Sequence, residues 1–248
     1  MYTEVKTHYW KSRAFSSEYQ KAYGEVARNV PKKARGVFLE AACGFGEILK
    51  RAYRRGSYQL LIGQDASSEM LDQAHANLAK AGIPVRIETD PQCIERDASG
   101  VVLVTDDLLR SHLPAGLADM TVFTFPDFGK KLVPHPVDWK LGDAFQAVAG
   151  TPPDLDTRIE LRYKHALARL TAKNGTIIIA DYGIDGSFPY NHANITAGAT
   201  RMAEMTHMRL QETAFTENKG VWSDTIEAGQ RSFGTAKKGY ITFLMRKV

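Results

Sequence analysis

Residues 36–46, Gly36-Val37-Phe38-Leu39-Glu40-Ala41-Ala42-Cys43-Gly44-Phe45-Gly46, set a short apolar run against a turn of small residues. The run reads as a buried strand, and a helix pattern follows from about Glu47 to Arg55. Small residues between a strand and a helix let the backbone approach a ligand and let the helix start abruptly. The spacing departs from the dinucleotide pattern G-x-G-x-x-G, because Gly46 is followed by Glu47-Ile48-Leu49. A carboxylate at that helix start sits poorly beside a pyrophosphate, so a ligand without phosphates fits better.

Outward from this turn the same rhythm repeats. Tyr58–Gly63 is the second strand, ending at Gln64-Asp65, and Ser67 or Ser68 can cap a helix that runs to about Lys80. Leu71, Ala74, Leu78 and Ala81 give that helix an apolar stripe. Two segments compete for the third strand. Val85–Glu88 alternates as a partly exposed strand does, whereas Val101–Val104 is apolar throughout and is followed by Asp106-Asp107. Central parallel strands are buried on both faces, which favours the second and leaves the first as an added strand. Met120–Phe125 is the fourth strand, cut by Pro126. A helix over Arg158–Leu170 and a fifth strand at Thr176–Ala180 follow. Beyond Asp181-Tyr182 a helix near Ile195–Met205 precedes alternating segments at Met208–Thr216, Val221–Ile226 and Tyr240–Met245, read as antiparallel. The expected fold is α/β: a Rossmann-like, mostly parallel sheet with helices on both faces and an antiparallel C-terminal strand region.

Composition is compatible with this. The chain has 248 residues, 44% hydrophobic and 24% charged, long enough for a core without disulfides. Disorder and fibrous repeats are excluded, and no apolar run reaches the about 18 residues of a membrane-spanning helix. Cys43 and Cys93 alone make neither a disulfide framework nor a metal knuckle. The N-terminal residues do not look like a signal peptide, so a cytoplasmic location is expected. Net charge is +4, with 12 Lys/Arg against 5 Asp/Glu in residues 1–60. A basic excess of this kind suits either a solvated helix surface or an anionic partner.

Asp65 ends the second strand about 20 residues after the turn, where a carboxylate can accept both hydroxyl protons of a ribose. Asp106 or Asp107, ending the next strand, can accept from an adenine amino group. Together these acidic positions at strand ends form a stronger signal than any one of them.

At these residues the chain resembles the class I S-adenosylmethionine-dependent methyltransferases. Their first motif, an acidic residue and alternating glycines, falls on Glu40, Ala42, Gly44 and Gly46, with Ala42 in place of the usual first glycine. The ribose-binding acid falls on Asp65, within Gly63-Gln64-Asp65-Ala66-Ser67-Ser68-Glu69-Met70-Leu71, and Asp119 matches a structural acid that opens the fourth strand. The resemblance implies a seven-stranded sheet and S-adenosyl-L-methionine held by Glu40, Ala42, Gly44, Gly46, Asp65, Ala66, Met70, Asp106, Asp107, Leu108 and Phe125. It also implies residues 1–34 as a helical cap over the cleft, and a methyltransferase domain over residues 35–248 with an acceptor-loop insertion at about 126–155.

Methyl transfer is an in-line displacement, and a base is needed only when the nucleophile holds its proton tightly at neutral pH. His135 and His192 are the candidate bases, and Asp181 is a candidate for orienting the acceptor or for capping local backbone N–H groups. Tyr9, Trp10, Tyr19, Tyr23, Pro126 and Tyr182 are expected to contact the acceptor; Phe15, Tyr19 and Tyr23 share a helix face by their four-residue spacing. The favoured acceptor is an O or N atom of a small molecule, bound by a monomer or homodimer with no metal and no membrane. A second resemblance favours RNA instead: Phe125-Pro126-Asp127-Phe128-Gly129-Lys130-Lys131 with His135 is similar to a motif of transfer-RNA guanine-N7 methyltransferases, although Phe128-Gly129 stands in place of Pro-Trp. A third reading is a non-methylating protein that retains the donor site.

Overall fold

The computed structural model describes residues 10–32, 36–56, 58–125, 155–185, 192–220 and 237–248. Tyr9, Pro126, His135, the Val221–Ile226 segment and the expected insertion after Phe125 lie outside the described residues.

Strand β1 (Val37–Ala41) is buried along its whole length, because it has a parallel neighbour on each side and a helical layer on each face. Its neighbours are β2 (Leu60–Asp65), paired from Val37↔Leu60 to Ala41↔Gln64, and β5 (Ala118–Thr124), paired from Phe38↔Met120 to Ala41↔Phe123. Strand β4 (Gly100–Thr105) lies parallel to β2, with Asp65 opposite Thr105. The apolar run therefore occupies the position adjoining β2, as its continuous hydrophobicity predicts. Val85–Glu88 forms β3 on the outer side of β4. With β4 its one neighbour among the described residues, it leaves Arg86 and Ile87 exposed.

Beyond β5 come β6 (Thr171–Asp185), then β8 (Lys237–Lys247) antiparallel to it, and β7 (Met208–Glu217) antiparallel to β8. The order is β3-β4-β2-β1-β5-β6-β8-β7. That is eight strands among the described residues, one more than the seven expected, and the edge strand β3 supplies the difference. Strand β6 also extends well past Thr176–Ala180. Pairing with β8 continues from Thr176↔Arg246 to Asp185↔Lys237, so backbone hydrogen bonds prolong it beyond its apolar segment.

Strand alternation divides the core in two. Phe38, Leu61 and Leu103 face the layer made by α1 (Ser17–Arg28), α2 (Glu47–Arg54) and α3 (Ser68–Lys80). Leu39, Ile62 and Val102 face α4 (Leu155–Leu170) and α5 (His192–Met205), through Leu167, Leu170 and Ala203. The start of β1 is fixed by Asp119 on β5, whose Oδ2 accepts the Val37 N–H at 2.8 Å and whose other oxygen pairs with Arg96. No helix among the described residues is long and apolar enough to cross a membrane.

The chain runs from β1 outward to one side and returns to the other side at β5. Ligands of open α/β sheets bind at such a reversal, beyond the carboxyl ends of the strands.

Candidate active site

The turn after β1 is built from alternating left-handed residues: Ala42 (φ 50°), Gly44 (φ 52°) and Gly46 (φ 67°). Ala42 keeps the path that a glycine would take, at the steric cost its methyl group carries there. The turn is tied to β2 by the Cys43 N–H, which donates to the Gln64 carbonyl at 2.9 Å. A side chain at Gly44 would combine an unfavourable φ with a 3.4 Å approach to the Met70 Cε. The turn thus presents bare backbone to the cleft that it lines.

Gly46 precedes α2 without a side chain to cap it. Glu40 takes that role from inside β1: its Oε2 accepts the Leu49 N–H at 2.8 Å. Burial pushes the Glu40 carboxyl up to about 8, opposed by that hydrogen bond and reinforced by the nearby charge of Glu47. The Cys43 thiol, also buried, is held well above its ordinary value, so it is not poised as a nucleophile.

Asp65 closes the other side of the turn. Its Oδ2 accepts from Gly44 N–H at 2.9 Å and its Oδ1 from Ser67 N–H at 3.0 Å. Burial raises its pKa, while the N–H groups of Ser67, Gly44 and Ala66 oppose the shift. A carboxylate offers roughly four acceptor sites, so it retains capacity toward a ligand's hydroxyls. Ser67 caps α3 by accepting from Met70 N–H at 3.3 Å, and this sets Ala66 and Met70 on the cleft wall.

The two acids after β4 are not equivalent. Asp106 is buried and accepts from Gln64 Nε2 at 2.8 Å, Ser111 Oγ at 2.5 Å and His112 N–H at 3.2 Å. Its hydrogen bonds hold the strand ends together. Asp107 is exposed, its Oδ1 accepts from Leu109 N–H at 3.0 Å, and with Leu108 it lines the cleft.

The expected acceptor-contacting aromatics also divide. Trp10 and Tyr23 line the cleft, and Trp10 packs with Ala14 on Phe45 and Met70. Tyr19 and Tyr182 are buried behind them and are not among the cleft-lining residues; the Tyr19 hydroxyl donates to that of Tyr182 at 3.1 Å. Phe125, at φ 45°, is the hub, with ring centroids 5.5 Å from Tyr19, 5.9 Å from Tyr23, 5.3 Å from Tyr182 and 5.7 Å from Tyr240. Desolvation raises the phenols of Tyr23 and Tyr182, which are therefore neutral hydrogen-bonding groups. Asp181 accepts from the adjacent Tyr182 N–H at 2.7 Å, the backbone-capping alternative, while His192 is the first residue of α5.

Several lining residues escaped the sequence reading as binding candidates, Glu47, Thr124 and Tyr163 among them. Tyr163 stacks on Phe123 with centroids 5.8 Å apart. It shares a helix face with Leu167 and Leu170, so the sequence alone reads it as core.

No protein-family model and no curated protein matches the chain. Solved structures do. A candidate methyltransferase from Bacillus halodurans superposes with a TM-score of 0.57 at 10% identity, covering 92% of this chain and 99% of that one. The geranyl diphosphate C-methyltransferase of Streptomyces coelicolor, in complex with geranyl diphosphate and S-adenosyl-L-homocysteine, gives 0.55 at 12% identity, with 94% and 84% covered. An S-adenosylmethionine-dependent methyltransferase from Mesorhizobium loti gives 0.53 at 10%, with 94% and 99% covered. Strand order, turn geometry and these superpositions agree: the chain has the class I S-adenosylmethionine-dependent methyltransferase fold.

Proposed function

We propose that this protein transfers a methyl group from S-adenosyl-L-methionine to an O or N atom of a small-molecule acceptor. The observation that carries the reading is Asp65, a buried carboxylate at the end of β2 whose oxygens engage the glycine turn and retain acceptor capacity. The residues present fit the donor: the turn keeps side chains away, and the surrounding carboxylates favour a cationic, phosphate-free ligand.

In this reading Asp65 accepts from the ribose hydroxyls, Ala66 and Met70 flank the nucleoside, and Asp107 with Leu108 reads the adenine edge. Asp106 supports them by holding β2 and the segment after β4 in register. The donor supplies a methyl group made electrophilic by the sulfonium. Phe125, Tyr23 and Trp10 exclude water, which strengthens the electrostatic interactions in the cleft and protects the reactive group. Tyr9, Trp10, Tyr23 and Pro126 are proposed to hold the acceptor, and His135 or His192 to remove a proton where the nucleophile carries one. Tyr19 and Tyr182 act through the packing of Phe125.

Incubating the purified protein with methyl-labelled donor and a metabolite pool tests the reading. The expected result is label in a small molecule heavier by one methyl group. Donor-dependent conversion with no gain of a methyl group would overturn it.

A further inference from the structure

Among the described residues no lysine or arginine lines the cleft, and much of the basic excess of residues 1–60 gathers instead on one outer face. That face is made by α1 and α2, which pack side by side. Arg51 Nη2 donates to the Gln20 carbonyl at 3.0 Å and to Gln20 Oε1 at 2.7 Å. Lys21 and Arg28 are exposed on the outward side of α1, two turns apart. On α2, three- and four-residue spacing puts Lys50, Tyr53 and Arg54 on the outward side, with Arg51 and Arg55 on the flank toward α1. A band therefore runs from Lys21 and Arg28 across Arg51 and Arg55 to Arg54 and Tyr53.

Acids are turned away from this band. Glu18 lies against Gly220, and Glu25 accepts from the Tyr240 hydroxyl, so both carboxylates of α1 point toward the C-terminal strands. Glu47 offsets the charge of Lys50. Lys21, Arg28, Arg51, Arg54 and Arg55 pair with no carboxylate among the described residues. Cations held together without counter-charge attract a polyanion.

Tyr53 narrows the choice of polyanion. An exposed aromatic ring beside guanidinium groups offers a base a stacking platform, while arginine forks grip the flanking phosphates. An anionic membrane calls for several large apolar side chains on the docking face. Of the exposed large hydrophobic residues described, Tyr53 alone belongs to α1 or α2.

We propose that the α1–α2 face binds single-stranded nucleic acid, with Tyr53 stacking on a base and the surrounding arginines holding the backbone. The inference goes beyond the methyl-donor reading and stands independently of it.

Fluorescence anisotropy with a labelled oligouridylate tests it. Affinity should fall with added salt at a log–log slope of about −2 to −3, as about three or four phosphates release counterions. Lys21→Gln combined with Arg54→Gln should bind at least about tenfold more weakly at low salt and make the slope shallower by about 1.4. Tyr53→Ala should lose at least about fivefold for the oligonucleotide and nothing for inorganic polyphosphate, whereas Tyr53→Phe should match wild type. All these positions are exposed, and circular dichroism confirms that the variants fold. No binding of the oligonucleotide at about 50 mM salt, or equal binding by the double variant, overturns the inference. Tighter binding of poly-L-glutamate or of phosphatidylglycerol vesicles also overturns it, assigning the face to an acidic protein or a membrane. Tyr53→Ala indistinguishable from wild type overturns the nucleic-acid assignment as well.

Discussion

Asp65 reaches back across the cleft to Gly44: the carboxylate that ends β2 accepts, at 2.9 Å, the backbone N–H of the turn that follows β1. One side chain thereby couples the conformation of the turn to the position proposed for the ribose. Asp65→Ala removes the acceptor of both the Gly44 and Ser67 N–H groups. It should lower stability by about 1–3 kcal/mol, the usual result of orphaning buried donors. Affinity for S-adenosyl-L-homocysteine should fall at least about tenfold, as expected when charge-assisted hydrogen bonds are lost. Urea titration and calorimetry measure the two effects separately.

Ala42 predicts a change of opposite sign. At φ 50° its methyl group is strained, and glycine removes the strain while giving back some unfolded-chain entropy. Ala42→Gly should therefore stabilise the protein by about 0.5–1 kcal/mol. Ala42→Val should destabilise it by about 2 kcal/mol or more, since a β-branched residue is poorly accommodated there. The midpoint of urea unfolding is the readout.

Asp106 and Asp107 should separate by phenotype. Removing Asp106 strands Gln64 Nε2 and the His112 N–H, so Asp106→Ala should cost about 2–3 kcal/mol of stability. Asp107→Ala lies at an exposed position and should change stability by less than about 0.5 kcal/mol beyond the small loss of its Leu109 cap. Its expected effect is weaker binding of the adenine nucleoside. Thermal unfolding with and without ligand distinguishes the pair.

Glu40 gives a pH prediction whose sign is fixed by its raised value. The unfolded chain releases this proton near 4.5, whereas the folded protein holds it until about 8, so folding takes up a proton between those limits. The contribution to stability is complete below the unfolded value and is lost as pH rises through about 8. Asp65, also raised, acts in the same direction. Glu40→Gln should make the decline between pH 5 and 8.5 shallower, leaving the Asp65 share. Urea unfolding across that range provides the check.

Much of the fold can be read from local pattern because its causes are local. An apolar strand, a turn of small residues and an amphipathic helix recur in order, and Val101–Val104 is buried on both faces as its composition requires. The register of the terminal strands is not local: β6 outruns its apolar core because β8, more than 50 residues later, continues to supply hydrogen bonds. The site divides the same way. Asp65 is legible from its place at a strand end, whereas the difference between Asp106 and Asp107 depends on Gln64 and His112. Four-residue spacing puts Tyr19 and Tyr23 on one face of α1, yet Phe125 and Tyr182 decide that Tyr19 is core and Tyr23 is cleft. Glu47 is legible only as a carboxylate that disfavours phosphate and Tyr163 only as core, since each acquires its place in the cleft through another element.

Tyr19 and Tyr182, buried behind the cleft wall, are expected to serve structure rather than the acceptor. Tyr19→Phe and Tyr182→Phe should each cost about 0.5–1.5 kcal/mol, with a coupling of about 1 kcal/mol in the double variant. Donor affinity should stay within about twofold of wild type, because the packing of Phe125 survives a change of one hydroxyl. Denaturant unfolding and ligand titration report the two quantities.

The central claim is that the cleft at the ends of β1, β2 and β4 binds the methyl donor. Calorimetric titration of wild type and Asp65→Ala with S-adenosyl-L-methionine tests it most directly. One binding site per chain in wild type, with at least about tenfold weaker binding in the folded variant, is the predicted result. No binding to folded wild type, or equal binding to both proteins, would contradict it.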